Sequence, residues 1–286
     1  MLYLNLDTTF FPFDTTGTSE QSIKFESFVF NGGEPHIKIL DDLTEVKEVT
    51  ITTRVRSFND MGLLLIAADA LKRTGVQKLN LVLPYFPGAR QDRVMTGGES
   101  LTVKVYADIL NTIGFQKVTI VDPHSEVTSA VLNNVHVISN HAFVAACLKN
   151  ERDYLLISPD GGALKKIYKV AQHLGGQPIV ECSKKRDVAT GKLSGFKVYE
   201  EDLEGKTCVI VDDICDGGGT FIGLAKELKK KNCGKLILIV THGIFSKGFE
   251  ELAQSFDHIY STNSFCDFEN QPFFTQINVM WSGAQQ

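Results

Sequence analysis

The sequence has little of what marks secreted or membrane proteins. Its 286 residues include six cysteines, which are scattered and form no C-x-x-C pair. This usage is typical of reduced thiols in a cytosolic protein. The opening MLYLNLDTTFFPFD has no basic segment, and Asp7 interrupts its apolar run, so we expect no signal peptide. No apolar run reaches the roughly 18 residues needed to span a membrane, so we expect a cytoplasmic protein without membrane contacts.

A basic charge balance and the common nucleotide-binding loop are also missing. The net charge is −5 and the pI is about 5.8, which argues against nucleic acid as a partner. No segment matches G-x-x-x-x-G-K-[ST], so an ordinary P-loop is absent. Hydrophobic residues make up 43% of the chain, which is enough for real cores in about two domains.

Alternating apolar segments predict the fold class. From about residue 48 onward, strand and helix patterns alternate, which favours βαβ units and a parallel sheet. Both halves contain an apolar strand that ends in a carboxylate, VTIVDPHS and CVIVDDICD. We predict an α/β protein with two similar domains, residues 1–138 and 139–286, each a mostly parallel sheet flanked by helices. The predicted strands are residues 49–53, 79–83, 118–121, 154–157, 178–182, 208–211 and 235–241, and the predicted helices are residues 61–73, 101–110, 162–174 and 220–231.

The stretch CVIVDDICDGGGT, residues 208–220, combines a strand, acidic residues and glycines at the start of a helix. A glycine run at a helix N-terminus exposes N–H groups that favour an anion, as does the helix dipole. Acidic residues would repel a bare phosphate, so the site suits a phosphate with hydroxyls or a phosphate with Mg²⁺. A sugar phosphate fits, with the glycines and Thr220 on the phosphate and Asp212 and Asp213 on ribose hydroxyls. The alternative is a tight surface turn with solvated aspartates.

The loop PYFPGARQDR, residues 84–93, places Arg90, Gln91, Asp92 and Arg93 directly after a predicted strand. We interpret it as a clamp for phosphates and a base, because arginine presents a planar fork of donors. The alternative is a solvated charged turn.

Three further loops carry charged residues at strand ends. In DPHSE, His124 lies beside Asp122 and is a candidate for contact with a metal or a phosphate, against a purely structural histidine. In ISPDGG, Asp160 is a candidate for holding a metal ion or a hydroxyl. In SKKRD, Lys184 and Arg186 would neutralise developing charge if the loop closes over a phosphate, although such a run is usually a solvated hairpin.

Taken together, these segments resemble one family. VDDICDGGGT resembles the phosphoribosyl-diphosphate loop shared by phosphoribosyltransferases and ribose-phosphate pyrophosphokinases. The segments PYFPGARQDR, GESLTVK, DPHS, SPDGG, KKRD and VTHGIFS look like the pyrophosphokinase in particular, and FNGGE resembles its nucleotide-base segment. The resemblance implies two phosphoribosyltransferase-like domains, the first with the ATP loop and the second with the ribose-phosphate loop.

The resemblance also implies an activity and its residues. The β,γ-diphosphate of Mg-ATP would pass to the 1-hydroxyl of ribose 5-phosphate, a transfer that depends on positioning and charge neutralisation. No general base is evident. ATP would be bound by Phe30, Glu34, Arg90, Gln91, Asp92 and Arg93, with Phe30 and Glu34 reaching in from a neighbouring subunit of a homo-oligomer, at least a dimer. The implied catalytic residues are Lys184, Arg186 and His124, the implied Mg²⁺ residues are His124 and Asp160, and the implied ribose-phosphate residues are Asp212, Asp213, Asp216, Gly217, Gly218, Gly219 and Thr220.

One departure from the family pattern suggests a second acceptor. The usual D-T-x-G-T loop reads DGGGT here, so Gly217 replaces a threonine that would cap the 5-phosphate. We expect this to open space beside the phosphate, in which a substituted phosphate such as that of ADP-ribose would fit, giving a product for NAD metabolism. Two other hypotheses remain, a phosphoribosyltransferase that consumes the diphosphate and an inactive regulatory homologue.

Overall fold

The chain divides into two compact units. The computed structural model describes residues 2–10, 21–186 and 193–279, with the backbone alone for residues 184–186 and 193–194. The first unit is Met1–Ser139 with Ser264–Asp267 and Val279–Gln286, and the second is Asn140–Asn263 with Phe268–Asn278. Residues 264–267 thus group with the first unit, although they follow the predicted boundary at residues 138 and 139. That boundary stays a prediction.

A six-stranded parallel sheet forms the centre of the first unit. Its elements in chain order are β1 (Leu2–Asn5), β2 (Gln21–Ser22), β3 (Phe25–Val29), β4 (Pro35–Ile39), β5 (Glu48–Thr52), α1 (Phe58–Arg73), β6 (Lys78–Val82), α2 (Thr102–Asn111), β7 (Lys117–Val121), α3 (Glu126–Val131) and β8 (Val135–Ile138). The sheet order is β2-β1-β5-β6-β7-β8, with every neighbouring pair parallel. Strands β3 and β4 form a separate antiparallel hairpin.

The second unit is built around a seven-stranded sheet. Its elements are α4 (His141–Cys147), β9 (Tyr154–Ser158), α5 (Leu164–His173), β10 (Ile179–Arg186), β11 (Leu193–Val198), β12 (Thr207–Cys215), α6 (Gly219–Lys230), β13 (Leu236–Gly243), α7 (Glu250–Ser255), β14 (His258–Thr262) and β15 (Phe274–Ile277). The order is β11-β10-β9-β12-β13-β14-β15, and only the β10–β11 pair of these described strands is antiparallel.

Strand β12 shows why the second sheet is sandwiched between helices. Cys208 and Ile210 pack into one hydrophobic cluster, whereas Val209 and Val211 pack into another. Successive side chains of a strand point to opposite faces, so both faces of this sheet are covered. A continuous apolar run such as CVIV is typical of a parallel strand in this position, and burying each such side chain contributes about 1.5–3 kcal/mol.

Helix α1 begins earlier than the sequence pattern predicts. The prediction starts at residue 61, but the helix starts at Phe58 because Ser57 and Asp60 form a capping box. The Asp60 N–H donates to Ser57 Oγ over 3.2 Å, and the Ser57 N–H donates to Asp60 Oδ2 over 2.8 Å. Gly75, with φ of +99°, follows the last turn and ends the helix.

A buried arginine ties together three segments of the first unit. Arg54 is 2% exposed, and its Nε donates to Asp7 Oδ2 over 2.7 Å. Its Nη2 donates to Thr9 Oγ1 over 2.6 Å and to Asp267 Oδ2 over 2.7 Å. The guanidinium carbon also lies 5.0 Å from the centre of the Phe10 ring. Because a buried charge needs partners, these contacts fix the N-terminal strand and residue 267 around one cation.

The predicted fold class is confirmed, since the chain is α/β with two mostly parallel sheets flanked by helices. The sequence analysis missed the short elements, among them α3, α4, α7 and the strands β14 and β15. All six cysteines are free thiols, as predicted. Among the described helices, none combines the length and apolar character needed to cross a bilayer.

Candidate functional site

The loops after β6 and β7 meet at one pocket. These two strands are parallel neighbours, so their carboxyl ends lie at the same edge of the sheet. The pocket has a volume of about 540 Å³, within the range of small-molecule sites. Its lining residues are Arg90, Gln91, Asp92, Arg93, Met95, Glu99, Ser100 and His124. The structure therefore brings together the four predicted ATP residues of this loop and the predicted catalytic histidine.

A glycine sets the path of the arginine-bearing loop. Gly88 has φ of +72°, and a Cβ there would lie 2.9 Å from Thr102 Cγ2 and 3.0 Å from Tyr106 Cδ2. Both the conformation and the close approach of α2 therefore require glycine. The Gln91 N–H donates to the Gly88 carbonyl over 3.0 Å, which closes the turn just before the pocket residues.

Asp92 holds Arg93 in a fixed orientation. Arg93 Nε donates to Asp92 Oδ1 over 2.9 Å, and Nη2 donates to Oδ2 over 3.2 Å. Asp92 is buried, whereas Arg93 is exposed. These hydrogen bonds lower the pKa of Asp92 from 3.8 to about 2, with the positive charge of Arg93 and of His124 acting in the same direction. The pocket is thus lined by a permanently ionised carboxylate and by a guanidinium that it orients.

Glu99 and Met95 belong to the pocket and were not predicted. Glu99 Oε2 accepts the N–H groups of Met95 over 2.7 Å and Thr96 over 3.1 Å, which lowers the pKa of Glu99. The carboxylate thereby fixes the far side of the loop. Met95 is 66% exposed and gives the pocket apolar surface. The segment GESLTVK contributed to the family resemblance, but the residues alone did not single out Glu99.

The loop that carries His124 begins in a strained conformation. Asp122, at the end of β7, has φ of +37°, and its N–H donates to the Ile138 carbonyl over 2.9 Å. A positive φ is uncommon for residues other than glycine and often accompanies functional sites. Through this turn His124 reaches the pocket, where its side chain is exposed.

In the second unit, Asp212 and Asp213 lie on strand β12 and not after it. The predicted strand ended at residue 211, but β12 continues to Cys215 because β13 pairs with it from Cys208 to Asp212 and again at Ile214 and Cys215. Asp212 pairs with Val240 and Ile214 pairs with His242. The expectation that both carboxylates follow the strand was wrong, since the ladder of backbone hydrogen bonds tolerates their polar side chains at its carboxyl end. The two carboxyl groups stay close enough to share a side-chain hydrogen bond.

Electrostatic repulsion is concentrated at Asp212. Burial raises its pKa well above 3.8, and the negative charges of Asp213 and then Asp160 raise it further. Asp212 Oδ1 also accepts the Asp213 N–H over 2.9 Å. Asp160 lies after β9, where its Oδ1 accepts the Ala163 N–H over 3.0 Å and so caps the turn into α5. Three carboxylates thus share one neighbourhood, in which hydroxyl donors or a cation would relieve their repulsion.

The glycine loop leaves backbone donors at the start of α6. Gly218 has φ of +75°, and a Cβ there would lie 2.9 Å from Leu252 Cδ2, so only glycine fits. The N–H groups of Gly219, Thr220 and Phe221 have no hydrogen-bond acceptor among the residues that the structure describes. Such unsatisfied donors at a helix N-terminus favour an anion. Asp216, just before the loop, accepts a 2.6 Å hydrogen bond from Ser246 Oγ.

The space beside Gly217 is occupied. A Cβ on Gly217 would lie 3.2, 3.3 and 3.4 Å from Lys247 Cδ, Cε and Cγ, respectively. The expectation that this glycine opens space next to the phosphate was therefore wrong, because the aliphatic stem of Lys247 lies there. The sequence offered no signal for this contact between residues that are distant along the chain.

The other predicted site residues lie outside the pocket. Phe30 and Glu34 sit at the turn of the β3–β4 hairpin, where the Phe30 N–H donates to the Glu34 carbonyl over 2.9 Å. Phe30 is 53% exposed and packs edge-on against Phe28 at 4.8 Å. Lys184 and Arg186 lie on β10, but their side chains fall outside the described part of the structure.

The two predicted metal residues belong to different units, His124 to the first and Asp160 to the second. No group of three or more His, Cys, Asp or Glu side chains among the described residues has an arrangement that would hold a metal. Proteins usually bind Mg²⁺ through one or two carboxylates together with substrate phosphates. The carboxylates of Asp212, Asp213 and Asp160 supply the oxygen ligands that such an ion prefers.

Comparison with known proteins agrees with this division of the chain. A family model described as the N-terminal domain of ribose phosphate pyrophosphokinase matches residues 16–114, and a phosphoribosyl transferase domain model matches residues 129–270. The ribose-phosphate pyrophosphokinase of Mycoplasma pneumoniae is 32% identical over 87% of this chain and 79% of its own length. That of Thermococcus kodakarensis is 32% identical over 82% of this chain and 83% of its own length.

A solved structure has the same architecture. The crystal structure of phosphoribosylpyrophosphate synthetase from Mycobacterium smegmatis aligns with a TM-score of 0.81 and 25% identity, covering 93% of this chain and 89% of that one. The matches in sequence and structure span both units, the arginine-bearing loop and the glycine loop. The chain therefore belongs to the ribose-phosphate pyrophosphokinase family of enzymes.

Proposed function

We propose that the enzyme transfers the β,γ-diphosphate of Mg-ATP to the 1-hydroxyl of ribose 5-phosphate. The 1-hydroxyl oxygen attacks the β-phosphorus and forms an O–P bond, while the bond from that phosphorus to the α-phosphate oxygen breaks. AMP leaves with the bonding electrons, the hydroxyl proton is released, and the sugar product is phosphoribosyl diphosphate. Most of the catalysis in such a transfer comes from positioning and from neutralising phosphate charge.

The observation that carries the proposal is the pocket of the first unit, which gathers Arg90, Gln91, Arg93 and His124. Arginine forks and an imidazole are suited to phosphate oxygens. Asp92 keeps Arg93 in place, and the exposed Met95 offers an apolar surface for a base. In this proposal the pocket binds ATP through both its phosphates and its base.

The second unit supports a ribose 5-phosphate site. The free N–H groups after Gly218 are suited to the phosphate. Asp212 and Asp213 are suited to ribose hydroxyls, because the repulsion that raises the pKa of Asp212 would be relieved by hydroxyl donors. Asp216 and Thr220 flank the phosphate in this proposal, at the two ends of the glycine loop.

Charge neutralisation in this proposal needs cations near the phosphates. Mg²⁺ bound with ATP would supply charge neutralisation at the phosphates. His124 and Asp160 would hold the ion or the phosphates. Lys184 and Arg186, on β10, stabilise the charge that moves to the departing phosphate during transfer.

An oligomeric state of at least two chains follows from the proposed role of Phe30 and Glu34 in binding ATP from a neighbouring subunit. The hairpin supports this role, since Phe30 is exposed at its tip. Mixing a Phe30→Ala variant with an Arg90→Ala variant should then restore part of the activity, because some sites would receive both intact residues. Two inactive variants that stay inactive after denaturation and joint refolding would contradict the shared site.

The test of the function is AMP release from Mg-ATP by the purified full-length protein. We expect release with ribose 5-phosphate and none above background with ribose. ADP-ribose serves as a third acceptor, and we expect it to support little turnover because Lys247 fills the space beside Gly217. AMP release mainly with ADP-ribose would overturn the assigned acceptor. No AMP release with any acceptor would indicate a regulatory homologue.

A further inference from the structure

Lys247 lies over the glycine loop through a contact that the family assignment does not explain. Its Cγ, Cδ and Cε pass within 3.4 Å of the point where a Cβ of residue 217 would sit. Gly217 itself is not among the residues with positive φ, so its backbone has no need of glycine. The absence of a side chain at residue 217 instead makes room for the stem of the lysine.

The segment that carries Lys247 is hydrogen-bonded to Cys215 and Asp216, the residues just before the glycine loop. The Ser246 N–H donates to the Asp216 carbonyl over 3.2 Å, and Ser246 Oγ donates to the carboxylate over 2.6 Å. The Ile244 N–H donates to the Cys215 carbonyl over 2.8 Å. Lys247 is therefore held beside the loop by its neighbours in the chain, and its position does not depend on its own side chain.

The positive charge of Lys247 has no ion-pair partner among the described residues. Its side chain is exposed. The Asp216 carboxylate makes the surroundings of the loop acidic and would repel an incoming phosphate, which the N–H groups at the start of α6 would have to bind against that repulsion. An ammonium on a four-carbon stem that crosses the loop is placed to offset that repulsion.

We infer that Lys247 is a binding residue for the 5-phosphate and a determinant of which acceptor the enzyme takes. This inference rests on the proposed ribose 5-phosphate site. A terminal phosphate monoester carries a charge of about −1.5 to −2 at neutral pH, so it gains most from the lysine ammonium. The 5-phosphate of ADP-ribose is already esterified, carries about one negative charge, and would have to displace the lysine stem.

The experiment measures binding of ribose 5-phosphate and of ADP-ribose by titration calorimetry without ATP. Lys247→Met keeps the stem and removes the charge, whereas Lys247→Arg keeps the charge. Lys226→Met, at an exposed lysine of α6, is the matched control. We expect Lys247→Met to weaken ribose 5-phosphate binding about tenfold or more, as for a lost charged hydrogen bond. ADP-ribose binding should change less than threefold, and the arginine and control variants should stay within threefold of wild type.

The outcomes distinguish the proposed role of Lys247 from the proposed reaction. If wild type binds ribose 5-phosphate and releases AMP but Lys247→Met binds it equally well, the lysine inference is wrong and the proposed function stands. If wild type binds ribose 5-phosphate with the expected loss in Lys247→Met yet releases no AMP, the lysine inference stands and the proposed function fails. If wild type binds no ribose 5-phosphate, both are overturned. Thermal denaturation of each variant shows that folding is retained.

Discussion

Replacing Asp92 by asparagine tests whether its carboxylate orients the Arg93 guanidinium for ATP binding. The drop in pKa from 3.8 to about 2 corresponds to roughly 2.5 kcal/mol of interaction that favours the ionised form. Arg93 is exposed, so solvent screening reduces what the pair contributes to about 1 kcal/mol. If that interaction is spent on orienting the guanidinium, Asp92→Asn should raise KM for ATP about fivefold and leave KM for ribose 5-phosphate unchanged.

The assay is the initial rate of AMP release at varied ATP, with saturating ribose 5-phosphate. The matched control is Asp69→Asn, which breaks the exposed pair between Asp69 and Arg73 on α1. That variant should change neither KM. In an Arg93→Met background, Asp92→Asn should have no further effect on KM for ATP, because the group it orients is gone. An unchanged KM in Asp92→Asn alone, or equal effects with and without Arg93, would refute the reasoning.

The same pair has a defined dependence on pH. Because folding lowers the pKa of Asp92, its contribution to stability is complete above the unfolded value of 3.8 and is lost as pH falls through about 2. The difference in unfolding free energy between wild type and Asp92→Asn should therefore be constant from pH 6 to 8 and shrink below pH 4. A difference that changes near neutral pH would assign the effect to another group.

Three further perturbations have expected outcomes. Arg54→Met should lower the free energy of unfolding by about 3 kcal/mol, since it leaves the partly buried Asp7 carboxylate with the longer 3.5 Å contact to Arg56, and chemical denaturation measures this. Gly218→Ala should lower both the affinity for ribose 5-phosphate and the stability, because the positive φ and the contact with Leu252 both exclude a Cβ. An unchanged dissociation constant in calorimetry and an unchanged melting temperature would contradict this. Under limiting thiol reagent, Cys233 should be labelled first, because a hydrogen bond with the Cys208 thiol lowers its pKa and its side chain is only half-buried. Four of the other cysteines are buried. Peptide mass spectrometry that finds another cysteine labelled first would contradict this.

The sequence contained enough to predict the α/β class and the meeting of Arg90 with His124. Loops that follow neighbouring parallel strands meet at one edge of the sheet, so the pattern of strands already implied the pocket. The sequence did not show where β12 ends. Aspartate has a low strand propensity, and only the pairing with β13 shows that the strand continues past Asp212. The sequence also could not show Lys247 beside Gly217, since that contact exists only after α6 and β13 have brought residue 247 back to the loop.

Strand β12 has a consequence for how this enzyme tolerates insertions and deletions. Residues 208–211 are all apolar and are buried on both faces of the sheet, so a slip of one residue would leave the core nearly as well filled. The same slip would shift the carboxyl groups of Asp212 and Asp213 relative to the neighbouring strands. Packing of the hydrophobic core therefore does not specify the register of this strand. If the proposed ribose 5-phosphate site is correct, a length change within β12 would displace the two carboxylates and Gly218 and abolish ribose 5-phosphate binding while leaving a folded protein.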